Sequence, residues 1–272
     1  MTEQTAGPAW VSFTTDYGLA DGFVAACHGV LARLAPQTRI LDVTHQVPPQ
    51  AVTAGAAVLA QTVPYLPQAV HLVVVDPGVG TTRRGVVVAA EQGLLVGPDN
   101  GVLLPAAEAL GGIRAAVELT EPQWWLPQVS QTFHGRDIFA PVAAWLARGI
   151  APQRLGPPVP VSELLRPPEP ECTVDGDAVR AEVVTIDHFG NLQLALPAER
   201  SPHRPGTRLR LHAGPVTAEA RMATTFADVA AGECLVLADS AGQLAVAVNG
   251  GSAAERLGAG RGLLVQLEPA AT

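Results

Sequence analysis

The sequence predicts an α/β fold: an N-terminal α/β layered domain with a mostly parallel sheet, followed by a smaller C-terminal β domain. Three observations predict it. Up to about residue 150, strand-like apolar runs alternate with segments of helical periodicity. Val70 to Val75 is apolar at nearly every position, as in a strand covered on both faces. Beyond a stretch from Ile150 to Cys172 that carries seven prolines, helical periodicity fades and short strands follow one another. The expected division is 1–150 for the α/β domain, 151–172 for a Pro-rich linker or strap, and 173–272 for a β-barrel or sandwich.

Taken in order, Trp10 to Thr15 reads as a strand. Asp21 is placed to N-cap a helix in which Phe23, Val24, Cys27, Val30, Leu31 and Leu34 fall on one face. Arg39 to Val43 is a second strand, and an Ala- and Val-rich helix spans about Ala51 to Val63. After Val70 to Val75, strands Gly85 to Ala90 and Leu94 to Val96 flank the turn Glu91-Gln92-Gly93. A helix over Arg136 to Arg148 points Ile138, Phe139, Val142, Ala143 and Leu146 inward. In the second domain the expected strands are Ala178 to Ile186, Leu192 to Leu196, Thr207 to His212, Val216 to Met222, Cys234 to Ala238, Leu244 to Val248 and Gly262 to Leu267.

Composition narrows the function classes. Hydrophobic residues make up 48% of 272, enough for sizeable cores. Net charge is −8 with no basic run longer than Arg83-Arg84, which argues against a nucleic-acid footprint. Cys27, Cys172 and Cys234 are widely spaced, which fits neither a disulfide framework nor a thiolate zinc site. The start MTEQTAGPAW lacks the basic and apolar regions of a signal peptide, and no apolar run approaches the ~20 residues of a membrane span. A soluble, cytoplasmic protein without nucleic-acid or membrane partners is expected, and no ligand cluster visible in the sequence requires a metal.

Three motifs end in residues capable of chemistry. T-T-D-Y-G-L-A-D-G sets Asp16 at a strand end and Asp21 at a helix start. A carboxylate at a strand's carboxyl end can hold ribose hydroxyls; the plain alternative is a turn former and a cap. V-V-V-D-P-G-V-G-T-T-R-R delivers Asp76 into a Gly-rich turn, with Arg83 seven residues on. Arg83 can pair with Asp76 and hold it ionised, or the two can merely brace the turn. Arg84 reads as solvated or structural. T-F-H-G-R-D puts His134 just before a helix, where an imidazole can exchange protons near neutral pH; the plain alternative is an incidental loop histidine. In the second domain, I-D-H-F-G-N groups Asp187, Phe189 and Asn191 around a glycine, as a base-stacking site or as a hairpin turn. G-P-D-N-G reads as a turn. The small-residue loops at Ser240 to Gly242 and Val248 to Ala254 would let backbone groups approach a planar ligand.

Together these motifs resemble the S-adenosyl-L-methionine hydroxide adenosyltransferase family, which is related to the fluorinases and chlorinases. The resemblance runs in order through FTTDYGLADGFVAACHGVL, LDVTHQVPPQ, VVVDPGVGTTRRG, VGPDNG, TFHGRDIFAPVAA, IDHFGNL and LAVAVNGGSAAERLG. It implies an α/β domain, a C-terminal β-barrel, and a homotrimer with sites between subunits. It also implies a reaction without a cofactor, in which water or hydroxide attacks ribose C5′ of S-adenosyl-L-methionine to give adenosine and L-methionine. Asp76, Arg83 and His134 match the family's water-activating set. Asp16 matches the ribose ligand. Asp21 and Asp187, with backbone at Ser240 and Ala241, match the surroundings of the methionine amino-acid group. Phe189, Asn191 and the backbone at Asn249 and Gly250 fall on the adenine side, and Phe226 is a candidate aromatic wall.

The halogenase branch is the main alternative. There the resemblance implies tyrosine at position 76, no Arg–His pair, and, in fluorinases, serine beside the histidine position. This chain has Asp76, Arg83, His134 and Gly135, and it carries Gln50 where the fluorinase pocket has tryptophan. A protein that binds S-adenosylmethionine or adenosine without turnover is the other class; it would not need the three residues together.

Overall fold

The computed structural model describes residues 7–270. The opening MTEQTA, read above as part of a start without a leader, and the final Ala271-Thr272 lie outside them. The chain divides into two compact units, one ending at Pro167 and the other beginning at Pro168.

In the first unit the strands are β1 (Trp10–Thr15), β2 (Arg39–Thr44), β3 (Ala69–Val74), β4 (Gly85–Ala90), β5 (Gly93–Pro98) and β6 (Ile113–Glu118). The helices are α1 (Phe23–Leu34), α2 (Val52–Thr62), α3 (Leu104–Ala109) and α4 (Ala140–Ala147). The sheet order is β2-β1-β3-β5-β4-β6. β1 pairs in parallel with β2 and β3, and β3 with β5, while β4 is antiparallel to both β5 and β6. The sheet is therefore mixed, with β4 alone reversed. The turn at Glu91 and Gln92 explains the reversal, because so short a connection can join only antiparallel neighbours.

Every residue of β3 is buried, and its side chains alternate between two cores. Val70, Leu72 and Val74 pack with Val24, Cys27 and Leu31 of α1 and Val142, Ala143 and Leu146 of α4. Val73 and the following Val75 pack with Ala54 and Leu59 of α2 and Leu104 of α3. This two-sided cover is what the continuous apolar run requires. α3 and β6 were not legible as elements. Six residues make too little of a helical period to register in α3, and β6 leaves Arg114 and Ala115 exposed.

Two local expectations change around α1. The N-cap position is Gly22 rather than Asp21; Asp21 Oδ1 instead accepts from the Phe23 N–H at 3.2 Å. Phe23 is exposed rather than core-facing, because at the first helical position it meets Tyr17 and Phe133 instead. The Pro-rich stretch forms an extended strap up to Pro167. Glu118 N–H donates to Pro157 O and Val159 N–H donates to Ala116 O, each at 2.9 Å, and Leu155, Val159 and Leu164 are buried. The strap thereby covers the edge strand β6.

The second unit contains β7 (Cys172–Asp175), β8 (Ala178–Ile186), β9 (Leu192–Pro197), β10 (Arg208–Ala213), β11 (Val216–Met222), β12 (Cys234–Ala238), β13 (Gln243–Val248), the short α5 (Ala253–Leu257) and β14 (Leu264–Pro269). Their order is β14-β10-β11-β12-β13-β9-β8-β7, and β14 also pairs with β8. That pairing closes a seven-stranded barrel and decides between barrel and sandwich. Val179, Ala181 and Val183 of β8 and Leu209 and Leu211 of β10 alternate into its core. α5 escaped the sequence reading; its signals are the Ser252 N-cap, which accepts from Glu255 N–H at 3.1 Å, and Gly258 at φ 58°. Among the described residues no helix is long and apolar enough to cross a membrane.

Candidate active site

Parallel pairing sets Thr15 opposite Val74, so Asp16 and Asp76 leave the carboxyl ends of adjacent strands. In an open α/β sheet that edge is where ligands bind. Asn100 holds the end of β3 by donating from Nδ2 to Val75 O at 2.8 Å, so G-P-D-N-G is a turn with a positioning task. Arg84 is structural: its Nε and Nη2 donate to Asp99 Oδ2 at 3.0 and 2.8 Å.

After Asp76 the chain turns back on itself, with Val79 N–H donating to Asp76 O at 3.2 Å, and returns Arg83 to the Asp76 carboxylate. Arg83 Nε donates to Oδ1 and Oδ2 at 3.0 Å each, and Nη2 donates to Oδ2 at 2.5 Å. The Asp76 side chain is only 4% exposed and that of Arg83 12%. Arg83 also lies 5.0 Å over the Phe139 ring and donates from Nη2 to His134 Nδ1 at 2.9 Å. The three residues therefore form one continuous chain of contacts with the arginine in the middle.

That arrangement sets the state of His134. A guanidinium has donors only, so Nδ1 must accept and the ring proton sits on Nε2. Burial, and then the Arg83 charge, lower the His134 pKa below its usual value, against the opposing pull of Asp76 and Asp137. The ring is thus held neutral, with one defined tautomer.

His134 is carried into place by a π turn, Gly135–Phe139, that runs directly into α4. The expected helix began at Arg136 and was regular; the extra residue in the turn is an irregularity often found at functional sites. Buried Asp137 organises the loop before it. Its Oδ2 accepts from Ser130 N–H at 2.8 Å, its carbonyl accepts from Leu126 N–H at 2.9 Å, and its carboxylate takes Arg136 Nε at 2.6 Å. Gly80 has φ 76°, and a Cβ there would collide with Gln131 O, so the turn after Asp76 sits directly against the segment leading to His134.

Asp16 is held by Gln50, whose backbone N–H donates to Asp16 Oδ2 at 2.8 Å while Gln50 takes φ 65°. Tyr17 is a neighbour that sequence reasoning missed. It packs edge-on against Phe133 at 5.7 Å, and its hydroxyl fills the space a Cβ on Gly135 would need. Burial raises the Tyr17 pKa well above its usual value, reinforced by Cys27, Asp16 and Asp76 and opposed by Arg83, so the phenol stays protonated. The signal was present in D-Y-G, but only the tertiary neighbours give the tyrosine its place.

The remaining candidates lie on loops of the second unit. Asp187 Oδ1 accepts from Phe189 N–H and Asn191 N–H at 2.9 Å each, and Oδ2 accepts from Asn191 Nδ2 at 2.7 Å. The hairpin-turn reading of this motif is thus correct as geometry, and it leaves the Phe189 ring 73% exposed. Gly190 at φ 82° packs against Ser252, and its carbonyl accepts from Ala254 N–H at 2.9 Å. Ala241 N–H donates to Asp239 Oδ1 at 2.9 Å, and Ser240 and Ala241 are both exposed. Asn249 donates from Nδ2 to Val229 O at 2.8 Å and from N–H to Glu233 O at 3.0 Å, with Gly250 at φ 73° beyond it. Phe226 is partly exposed within a capping box of Thr225 and Asp228.

Comparison with known proteins agrees with this architecture. Residues 11–156 match the SAM hydroxide adenosyltransferase N-terminal domain and residues 181–266 the C-terminal domain. A protein of Salinispora tropica named (R)-S-adenosyl-L-methionine hydrolase is 62% identical over 92% of this chain and 94% of the relative. A protein of Thermus thermophilus with the same name is 42% identical over 94% and 98%. A fluorinase of Nocardia brasiliensis is 28% identical over 98% and 99%. The crystal structure of an uncharacterised conserved protein from Thermotoga maritima superposes with a TM-score of 0.86 at 36% identity, covering 94% of this chain and 99% of that one. The chain belongs to the SAM hydroxide adenosyltransferase family.

Proposed function

We propose that the protein hydrolyses S-adenosyl-L-methionine to adenosine and L-methionine, acting on the R sulfonium configuration that its relatives' name specifies. The observation that carries this reading is the unbroken contact from Asp76 through Arg83 to His134. Water attacks ribose C5′, the C5′–S bond breaks, and its electron pair passes to sulfur, so methionine leaves as a neutral thioether. No acid is needed on that side. The site must align a water and take up its proton.

Asp76 is the proton acceptor in this scheme. Arg83 occupies part of its carboxylate, but a carboxylate offers about four lone-pair sites. His134, neutral and carrying its proton on Nε2, donates to the nucleophile's oxygen and orients it. Arg83 offsets the negative charge that develops on the oxygen.

Asp16 clamps the ribose hydroxyls through Oδ1, since Oδ2 is engaged by Gln50. Asp21, Asp187, Ser240 and Ala241 receive the amino-acid group, with Ala241 acting through groups other than its engaged N–H. Phe189, Asn191, Asn249, Gly250 and Phe226 form the adenine side. A homotrimer with sites between subunits is part of this reading, and the three free cysteines fit a reducing cytoplasm.

The test is incubation with each sulfonium epimer in ¹⁸O-labelled water, followed by chromatography and mass analysis. Adenosine labelled at the 5′-hydroxyl is the expected product. Tight binding without adenosine would sink the enzymatic reading, and 5′-chloroadenosine formed in chloride would move the protein to the halogenase branch.

A further inference from the structure

Beside β1 and β2, three side chains outside the Asp76–Arg83–His134 set converge. His28 comes from α1, Asp42 from β2 and His45 from the residue after that strand. His28 Nε2 lies 2.9 Å and His45 Nε2 3.1 Å from the same oxygen, Asp42 Oδ1. All three donor atoms lie within 4.8 Å of one another, the one such group among the described residues. We propose that His28, Asp42 and His45 form a binding site for a divalent first-row transition-metal ion such as Zn²⁺, distinct from the Asp76–Arg83–His134 set.

Burial supplies a separate observation. The His45 side chain is 4% exposed, yet its Nε2 makes no hydrogen bond; it faces Asp42 Oδ1 at close range without the angle a hydrogen bond needs. A buried ring nitrogen left so is costly unless something else satisfies it. A cation between the three donors would do so. Two donors bound to one ion at ~2.0–2.1 Å stand about 2.9–3.4 Å apart for angles between right and tetrahedral. The two nitrogen–oxygen separations match that range.

The other nitrogen of His45 fits the same role. Its Nδ1 lies 2.9 Å from Thr15 Oγ1, which also accepts from Tyr17 N–H at 3.2 Å. An Nδ1–H donated to that oxygen leaves the Nε2 lone pair directed at the site, the usual second-shell arrangement of a metal-bound histidine. The Phe13 ring, 4.8 Å from that of His45, backs the site with apolar surface. Two imidazoles and one carboxylate suit Zn²⁺ and its neighbours; Mg²⁺ and Ca²⁺ prefer oxygen ligands throughout. His28 and Asp42 are 32% and 42% exposed, so solvent can enter to complete the coordination. The ion would tie α1 to β2. Through Thr15, and through the Gly18 N–H that donates to His45 O at 2.7 Å, it would also steady the loop that carries Asp16.

The full-length chain, stripped with a chelator, is titrated with Zn²⁺ by calorimetry and with Co²⁺ by visible absorption. One ion per chain is expected, with Co²⁺ bands of low-symmetry nitrogen and oxygen ligation and a rise in the melting temperature of the N-terminal unit. His28→Gln and Asp42→Asn change side chains that are at least partly exposed. Each should weaken binding at least as much as the roughly 10–100-fold cost of losing a second-shell partner. His212→Gln, a histidine of the other unit, should leave binding unchanged. Absence of saturable binding, or undiminished affinity in both His28→Gln and Asp42→Asn, would overturn the proposal.

Discussion

Acidification should destabilise the N-terminal unit through His71. This histidine lies in β3 and is 1% exposed; its Nδ1 meets Ser12 Oγ at 2.7 Å, and its Nε2 has no partner. Burial pushes its pKa from 6.5 down to about 4. In the unfolded chain the ring takes a proton near its ordinary value, whereas in the folded chain it resists. Stability is therefore fully present above about pH 6.5, declines as the pH falls, and levels off below the folded value near 4. The loss between about pH 7.5 and 4.5 comes to about 2–3 kcal/mol, a large share of the stability of an ordinary domain. All four tryptophans, Trp10, Trp124, Trp125 and Trp145, belong to this unit, so their fluorescence during urea unfolding follows it alone. His71→Gln removes the titrating group and keeps a polar partner for Ser12. Comparison of the two proteins at both pH values cancels the other titrations. Equal pH dependence in the two would refute the reasoning.

Other expectations concern the site. His134 must be neutral to accept from Arg83, and its pKa is lowered, so kcat/KM should hold down to a pH below 6.5 and then fall; a fall beginning above that value counts against it. His134→Ala should cut product formation by about 10²–10⁴-fold while substrate affinity changes far less, as read by single turnover and calorimetry. Gly80→Ala forces a left-handed alanine against Gln131 O, so a stability loss of about 2 kcal/mol and a lower kcat are expected from unfolding and rate measurements. Gly135→Ser should displace the Tyr17 ring, visible as altered tyrosine contacts in a crystal structure of the variant; an unmoved ring would show that the space is larger than it looks.

How far the site could be read from the chain depended on distance along it. Asp76 and Arg83 are separated by one glycine turn, so their pairing was a local expectation. His134 meets Arg83 across 51 residues, and only the resemblance joined it to them. Tyr17 and Asp137 owe their importance to burial among residues from other elements, which periodicity does not report. The same holds for His28, Asp42 and His45, brought together only when α1 packs beside β2. β3 was legible because two-sided cover leaves an unbroken apolar run, whereas closure of the barrel lay in a pairing between the second and the last strands of its unit, β8 and β14.

The grip on Asp16 comes from a main-chain N–H at Gln50. Amide protons are common to every residue but proline, so the anchor is indifferent to what hangs from position 50, provided the left-handed backbone is kept. In the proposed site, anchor and side chain at position 50 are thus separable parts: the side chain can change without unseating the carboxylate. The same separability offers an engineer a place to alter which substrates fit while leaving the proposed ribose clamp as it stands.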